Sequence, residues 1–425
     1  MKTKTNSMKY SKAWLQNYIL ETLPEDKVIE EELNAKAFEV EGVEDFSGDT
    51  IFDIKVLPNR AHDALGHVSM AREICACLGL TFKKDWLEQI QETKSKLDKK
   101  ETKTNIGKVL VEVMDKKSCT RFSTIRIDEV VVGEAPDFIK TALNSIGQKS
   151  INNIVDITNY VQFMLNKPMH AYDASNIDDG IIVRYANEGE KLVTLDDKEL
   201  ELNTKTLVIA DHKKALGLAG IKGGKFSGVN ENTKSIILES ANFEPTLIRK
   251  TSQKYNLKTD ASKRFENGIS DTLVIDALYE TVRLILTYAS SKDVSVSEIT
   301  DVYENKNQDY HIGITKAEIN SILGSSYSNS EIESSLNKLG FVFEKMNTLE
   351  FIKNNIEKVM GAEYKNPASQ RDDAPKYFSC SSLVSYLFKG VWMPSLSIDK
   401  YIFCEKISIG ESLDISKIKY GDLVF

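Results

Sequence analysis

Chemically useful side chains concentrate in a few short segments of this chain. Asn152–Tyr160 and Pro168–Asp173 place amides, a hydroxyl, carboxylates and His170 within 22 residues, a set able to hold a polar ligand edge or a water. Glu239 closes the apolar run Ile236-Ile-Leu238, and a carboxylate at the end of a buried strand is either paired or functional. Gly217, Gly220, Gly223 and Gly224 crowd one turn. Backbone without Cβ atoms can approach a ligand and offer it N–H groups there; a tight turn between strands is the structural alternative. The spacing matches neither a P-loop nor GxGxxG, which argues against ATP at this turn. Thr259-Asp260-Ala261-Ser262 is a run of small residues, suited to a pocket wall, ahead of Arg264-Phe265-Glu266. His62, His67, His212 and His311 take a structural reading first, leaving His170 as the histidine to follow. Lys94–Lys103 and the group Arg249, Lys250, Lys254, Lys258, Lys263 and Arg264 could meet phosphate without reading sequence; a solvated face is the alternative.

Several elements must position these groups. Tyr10, Trp14, Leu15, Tyr18 and Ile19 share one helical face, predicting a helix over Met8–Leu23. A strand at Ile51–Leu57 ends at Pro58, and Asp63 is expected to cap a helix running to Cys77 and stopping at Gly79. Residues 92–105 read as a solvated linker or helix end. Strands are expected at Ile181–Tyr185, Lys191–Leu195, Leu207–Ala210 and Ile236–Glu239, with a hairpin turn at Asp196-Asp197. Helices are expected from Pro136, from Glu244-Pro245 and over Asp271–Ser290. Two short helices, Thr315–Leu323 and Ser330–Leu339, precede a strand Phe341–Glu344. The fold class is therefore α+β and multidomain: a module over 8–91, the linker 92–105, a mixed α/β domain over 106–305, a small helix-helix-strand module over 306–345, and a further unit from 354 to 425.

Composition limits the function. At 425 residues more than one core is expected, and 55 basic against 63 acidic residues give −8, which excludes a generally basic nucleic-acid coat. Five cysteines without a CxxC pair suggest neither a disulfide framework nor a zinc site, and fit a reducing compartment. No apolar run approaches the ~18 residues of a membrane helix, and the opening residues lack a secretory signal, so no membrane is expected and the cytoplasm is the expected location.

Taken in order, these segments resemble the β subunit of bacterial phenylalanyl-tRNA synthetase. The match runs from Met8-Lys-Tyr-Ser and Trp14-Leu15 through Phe38–Val43, Leu57-Pro-Asn-Arg60 and Ala71-Arg-Glu73, and covers nearly all of Cys119–Gly268. It is densest at Asn152–Tyr160, Pro168–Asp173, Glu190–Asp196, Leu218–Gly224, Leu238–Ala241 and Thr259–Gly268. The resemblance implies that residues 106–305 form an editing domain, which hydrolyses tyrosine wrongly attached to the phenylalanine tRNA. It implies that His170, Thr158 and Asn159 line the cleft and that Gly220 sits beside the aminoacyl group. Glu239 would contact the tyrosine hydroxyl, with Thr259 and Ala261 closing the wall. The family usually inserts an OB-fold tRNA-binding domain before the Pro-Asn-Arg strand; here only Glu44–Thr50 fills that space. Lys222 stands where an apolar residue is usual, and Asn267 where a basic one is. The family's acidic Mg-binding segment, synthetase-like fold and anticodon-binding end have no counterpart in this sequence, so ligase activity is not expected from this chain alone. The implied partners are tRNA(Phe) and a synthetase α subunit; no cofactor is expected in this chain, with ATP and Mg entering only through that subunit.

Residues 356–425 resemble the beginning of an NlpC-type cell-wall peptidase, a partial papain-like unit with Cys380 as nucleophile near the start of the helix that ends at Phe388. A helix N-terminus favours thiolate, but no histidine follows His311 to serve as the base. The function expected is binding of tRNA(Phe) and hydrolytic editing of mischarged tyrosyl-tRNA(Phe). A non-catalytic tRNA-binding module and a cell-wall cysteine peptidase are the alternatives.

Overall fold

The computed structural model describes residues 7–99, 106–304, 306 and 313–343, together with the paired strands Glu363–Tyr364 and Tyr377–Phe378. The chain divides into two units, Met1–Lys306 and Asn307–Phe425. Cys380 and the helix expected to end at Phe388 lie outside the described residues.

The first unit opens with β1 (Ser7–Ser11), α1 (Lys12–Gln16), α2 (Asp26–Lys36), β2 (Glu39–Phe46), β3 (Asp49–Lys55), α3 (Ala61–Ala64), α4 (His67–Leu78) and α5 (Asp85–Asp98). The helix expected over Met8–Leu23 is instead a strand followed by one helical turn. Its first half pairs with β3, and the Ser11 hydroxyl accepts from the Trp14 N–H at 3.0 Å to start α1. The helix expected from Asp63 is likewise broken. Gly66 begins α4, and a Cβ there would lie 2.8 Å from the Asn166 nitrogen, so only glycine lets α4 approach so closely. α4 ends as expected, with Gly79 at φ +72°. β2 and β3 form a hairpin closed by a tight turn at Ser47 and Gly48, both at positive φ. Of the stretch read as a linker or helix end, residues 92–98 complete α5, which ends at Asp98.

The central elements are β4 (Val111–Val113), β5 (Cys119–Val130), α6 (Asp137–Ser145), α7 (Asn153–Leu165), β6 (Met169–Asp173), β7 (Ile181–Tyr185), β8 (Lys191–Val193), β9 (Glu199–Glu201), β10 (Leu207–Ala210), β11 (Ala215–Leu218), β12 (Lys222–Gly223) and β13 (Ser235–Phe243). They continue with α8 (Pro245–Lys254), α9 (Asp260–Phe265), α10 (Leu273–Tyr288), β14 (Ser290–Val296) and β15 (Thr300–Val302). One sheet has the order β14-β5-β13-β6, with β15 also on β5; the other runs β12-β11-β10-β7-β4. β8 and β9 make the expected hairpin, with Asp197 at φ +62° in its turn. This is the α+β class anticipated.

Two apolar cores hold the unit together. The first joins Trp14, Ile54 and Ile74 to Ile157 and Val161 of α7, Leu278 and Ile285 of α10, and Ile125 and Leu238 of the first sheet. It therefore spans residues of both the 8–91 and the 106–305 segments. The second lies between the two sheets and contains Phe122, Tyr172, Ile237 and Phe243 with Ile209, Leu216 and Phe265. Each such side chain contributes about 1.5–3 kcal/mol when fully buried. In the second unit, α11 (Lys316–Leu323) and α12 (Asn329–Lys338) both begin with capping boxes, from Thr315 to Glu318 and from Ser328 to Glu331. Residues 341–343 are not in a strand, contrary to expectation.

Candidate functional site around Glu239

Strand alternation builds the site. β13 lies between β5 and β6, and the register sets Glu239 opposite Thr124 on β5 and His170 on β6. Alternate residues point to opposite faces. Leu238, Met169 and Ala171 therefore meet the first core and its helices, while Ile237, Tyr172 and Phe122 meet the second core between the sheets. Glu239, His170 and Thr124 share that second face. The Tyr172 hydroxyl donates to Oε2 of Glu239, and its ring meets His170 edge-on with centroids 4.4 Å apart. Two polar atoms beside the carboxylate, His170 Nε2 and Thr124 Oγ1, are buried without a hydrogen-bond partner. Buried polar atoms are overwhelmingly paired, so two orphans flanking one carboxylate mark a place where a ligand or water supplies the missing bonds.

The glycine-dense turn forms the opposing wall. β11 and β12 pair as a hairpin, Gly217 with Gly223 and Leu218 with Lys222, so the tight-turn alternative holds for its backbone. Gly223 is also the close approach that glycine permits: a Cβ there would sit 2.5 Å from His170 Cε1 and 2.8 Å from Nε2. The Leu195 N–H donates to the Gly223 carbonyl at 3.1 Å, and Lys222 pairs with Asp196 at 3.3 Å, fixing the β8–β9 turn beside the hairpin. At the far end of β6, fully buried Lys167 donates to Asn242 Oδ1 at 3.0 Å and the Ser270 carbonyl at 3.1 Å, anchoring the α7–β6 connection to β13.

Burial sets the charges. It pushes the Glu239 carboxyl up to about 7, against the opposing hydrogen bond from Tyr172, and pushes His170 down to about 4. At neutral pH His170 is therefore an uncharged imidazole and Glu239 exchanges a proton readily. Such a site can accept from a hydroxyl at Glu239 and orient a water at His170. It offers no strong base and no fixed cation. Among the described residues no group of His, Cys, Asp and Glu side chains could hold a metal ion.

The other residues singled out from the sequence do not all converge here. Gly220, at φ +64°, packs where a Cβ would lie 2.9 Å from the rings of Phe243 and Phe265. Phe243 is four residues past Glu239, about 13 Å along the strand. Thr259 caps α9 and donates to the Ile221 carbonyl at 2.9 Å, and half-buried Ala261 packs on the second core, so both stand beside the Gly220 end of the turn. Thr158 is buried on α7 with its hydroxyl on the Val155 carbonyl at 2.7 Å; neither it nor Asn159 hydrogen-bonds to His170 or Glu239. Of the basic group, Arg264 is fully buried, donating to the Asp260 and Leu65 carbonyls at 3.0 and 2.9 Å, and Lys263 donates to the Ser7 carbonyl. Those two are structural; Arg249, Lys250, Lys254 and Lys258 remain exposed. Two cavities, about 390 Å³ beside Tyr279 and Glu298 and about 200 Å³ beside Trp86 and Phe138, lie away from Glu239. Thr124 was not picked out from the sequence, and Tyr172 and Gly223 entered only as members of the Pro168–Asp173 segment and the glycine-dense turn. Only the spacing of His170 and Tyr172, two apart on one strand, hinted at one of them.

Residues 118–290 match the B3/4 domain family. The chain is 39% identical over 292 residues to the phenylalanine–tRNA ligase β subunit of Aquifex aeolicus, covering 69% of this chain and 35% of that protein. It is 37% identical over 297 residues to the same subunit of Protochlamydia amoebophila, covering 70% and 36%. An N-terminal fragment of the phenylalanyl-tRNA synthetase β-subunit from Pyrococcus horikoshii aligns over 80% of this chain and 91% of that one, with 13% identity and a TM-score of 0.40. The chain spans about a third of the length of the curated relatives it matches. No helix of the described residues is long and apolar enough to cross a membrane. Residues 118–290 are thus similar to the B3/4 domain family, within a longer stretch similar to part of the phenylalanine–tRNA ligase β subunits.

Proposed function

We propose that the B3/4 domain of this chain hydrolyses tyrosine from mischarged tRNA(Phe), in support of phenylalanine–tRNA charging carried out with an α subunit. One observation carries this reading: the buried Glu239 carboxylate is flanked in register by the unpartnered His170 Nε2 and Thr124 Oγ1. A tyrosyl guest would give its hydroxyl to Glu239, which phenylalanine lacks. The ester is already activated, so a water oriented by neutral His170 and nearby backbone dipoles suffices without a strong base. The exposed Arg249, Lys250, Lys254 and Lys258 would meet the tRNA backbone. ATP and Mg would enter only through the α subunit.

The test is deacylation of tyrosyl-tRNA(Phe) by the purified chain. The wild type should release tyrosine well above the spontaneous rate. Glu239→Ala should lose preference for tyrosyl over phenylalanyl ester, and His170→Ala should slow release by roughly tenfold or more. A wild type no faster than spontaneous ester hydrolysis overturns the reading. Two observations favour a second reading, tRNA binding without turnover: Tyr172 already donates to Glu239, and Gly223 lies directly on His170. Retained tRNA affinity with no hydrolysis would select it.

A further inference from the structure

We infer that Tyr172 is an internal stand-in for the guest phenol, and that its hydroxyl sets how strictly the Glu239 site separates tyrosine from phenylalanine. This rests on the editing reading above and adds a specificity-determining residue that acts through Glu239.

A buried acceptor discriminates because the wrong guest leaves it unpaired. Here that penalty is muted. Tyr172, on the neighbouring strand and two residues from His170, donates to Oε2 of Glu239 from within the protein. Oε1 makes no hydrogen bond among the described residues, so a tyrosyl guest adds a second donor. A phenylalanyl guest leaves the carboxylate still held by Tyr172. The site thus gains one hydrogen bond from tyrosine but does not pay the full desolvation of a stranded carboxylate with phenylalanine. Removing the Tyr172 hydroxyl restores the full penalty and sharpens the choice. The Tyr172 ring also touches His170, so the substitution must keep the ring.

Tyr172→Phe does that, and stable 3′-amide analogues of tyrosyl- and phenylalanyl-adenosine are the probes. In the variant the tyrosyl-over-phenylalanyl binding ratio should rise about tenfold, with the same rise in the ratio of deacylation rates on the two charged tRNAs. In a Glu239→Ala background the same change should shift the ratio by no more than about twofold, because the coupled partner is gone. An unchanged or lowered ratio in folded Tyr172→Phe overturns the role of Tyr172, while wild-type deacylation keeps the editing reading. A raised binding ratio with no deacylation by either protein supports the role and sinks hydrolysis. A tenfold shift in the Glu239→Ala background, or no binding of either analogue, overturns the role. Should Tyr172→Phe fail to fold, infrared difference spectra of the wild type carry the test through the carboxyl band that Glu239→Gln removes. The tyrosyl analogue should shift it and the phenylalanyl analogue should not; equal shifts overturn the inference.

Discussion

One methyl group at residue 223 probes the site most selectively. In Gly223→Ala the new Cβ would lie 2.5 Å from Cε1 of His170 and 3.1 Å from Leu195 Cδ1. Carbon atoms rest at about 3.5–4.0 Å, so the imidazole must move by roughly 1 Å or the hairpin must yield. The ring is also packed edge-on against Tyr172, centroids 4.4 Å apart, which limits where it can move. Overpacking of this kind costs about 1–3 kcal/mol, and a 1 Å misplacement of a positioning group costs about 10²-fold in rate. Urea unfolding should show the stability loss, and release of tyrosine from tyrosyl-tRNA(Phe) the larger functional loss. Gly220→Ala is the matched control. Its φ of +64° and its contacts with Phe243, Phe265 and Ile248 make it at least as destabilising, yet it leaves His170 untouched. Gly223→Ala should therefore lose more activity per unit of stability than Gly220→Ala. Equal rates in Gly223→Ala and the wild type, or a greater loss in Gly220→Ala, would refute the placement of His170 against Gly223.

Three further outcomes follow from the surrounding structure. Arg264→Ala strands the Leu65 carbonyl and opens a hole over the Phe163 ring, and should lower stability by about 3–5 kcal/mol in urea titration; a loss below about 1 kcal/mol would contradict its role as the tie between α9 and the N-terminal segment. Thr259→Ala removes both the α9 cap and the bond to Ile221, costing about 1–2 kcal/mol, whereas Thr259→Ser should keep most of it. Burial lowers His67 to about 3, and its ring already accepts from the Ser11 N–H at Nε2 and sits 3.0 Å from the Phe163 carbonyl at Nδ1. Between pH 6.5 and 3 the unfolded chain takes up a proton there that the folded chain refuses, so the stability present above pH 6.5 is lost on acidification. His67→Gln should remove about 1.4 kcal/mol per pH unit from that slope, read from urea midpoints against pH.

Much of this was legible in the sequence because local chemistry decided it. Pro136 ahead of Asp137, Glu244 before Pro245, Thr315 and Gly79 each mark a helix end in the sequence, and each stands at one in the structure. What depends on partners distant in sequence was not legible. Met8–Leu23 has helical spacing, but pairing with β3 converts its start into a strand. Lys263 and Arg264 look solvated beside Lys254 and Lys258, yet Lys263 is half-buried with its amine on the Ser7 carbonyl, and Arg264 is buried against Leu65 and Phe163. At the site, His170 and Glu239 stood out by residue type. Thr124 belongs there only through the β5–β13 register, which no single strand announces.

Where a tyrosyl group binds decides whether Glu239 selects it. A crystal structure of the full chain with the stable tyrosyl-adenosine amide measures this most directly. The phenolic oxygen should lie within hydrogen-bond distance of Glu239 Oε1. A tyrosyl ring bound away from Glu239, or one whose hydroxyl meets a different acceptor while Tyr172 and Glu239 stay closed together, would contradict it.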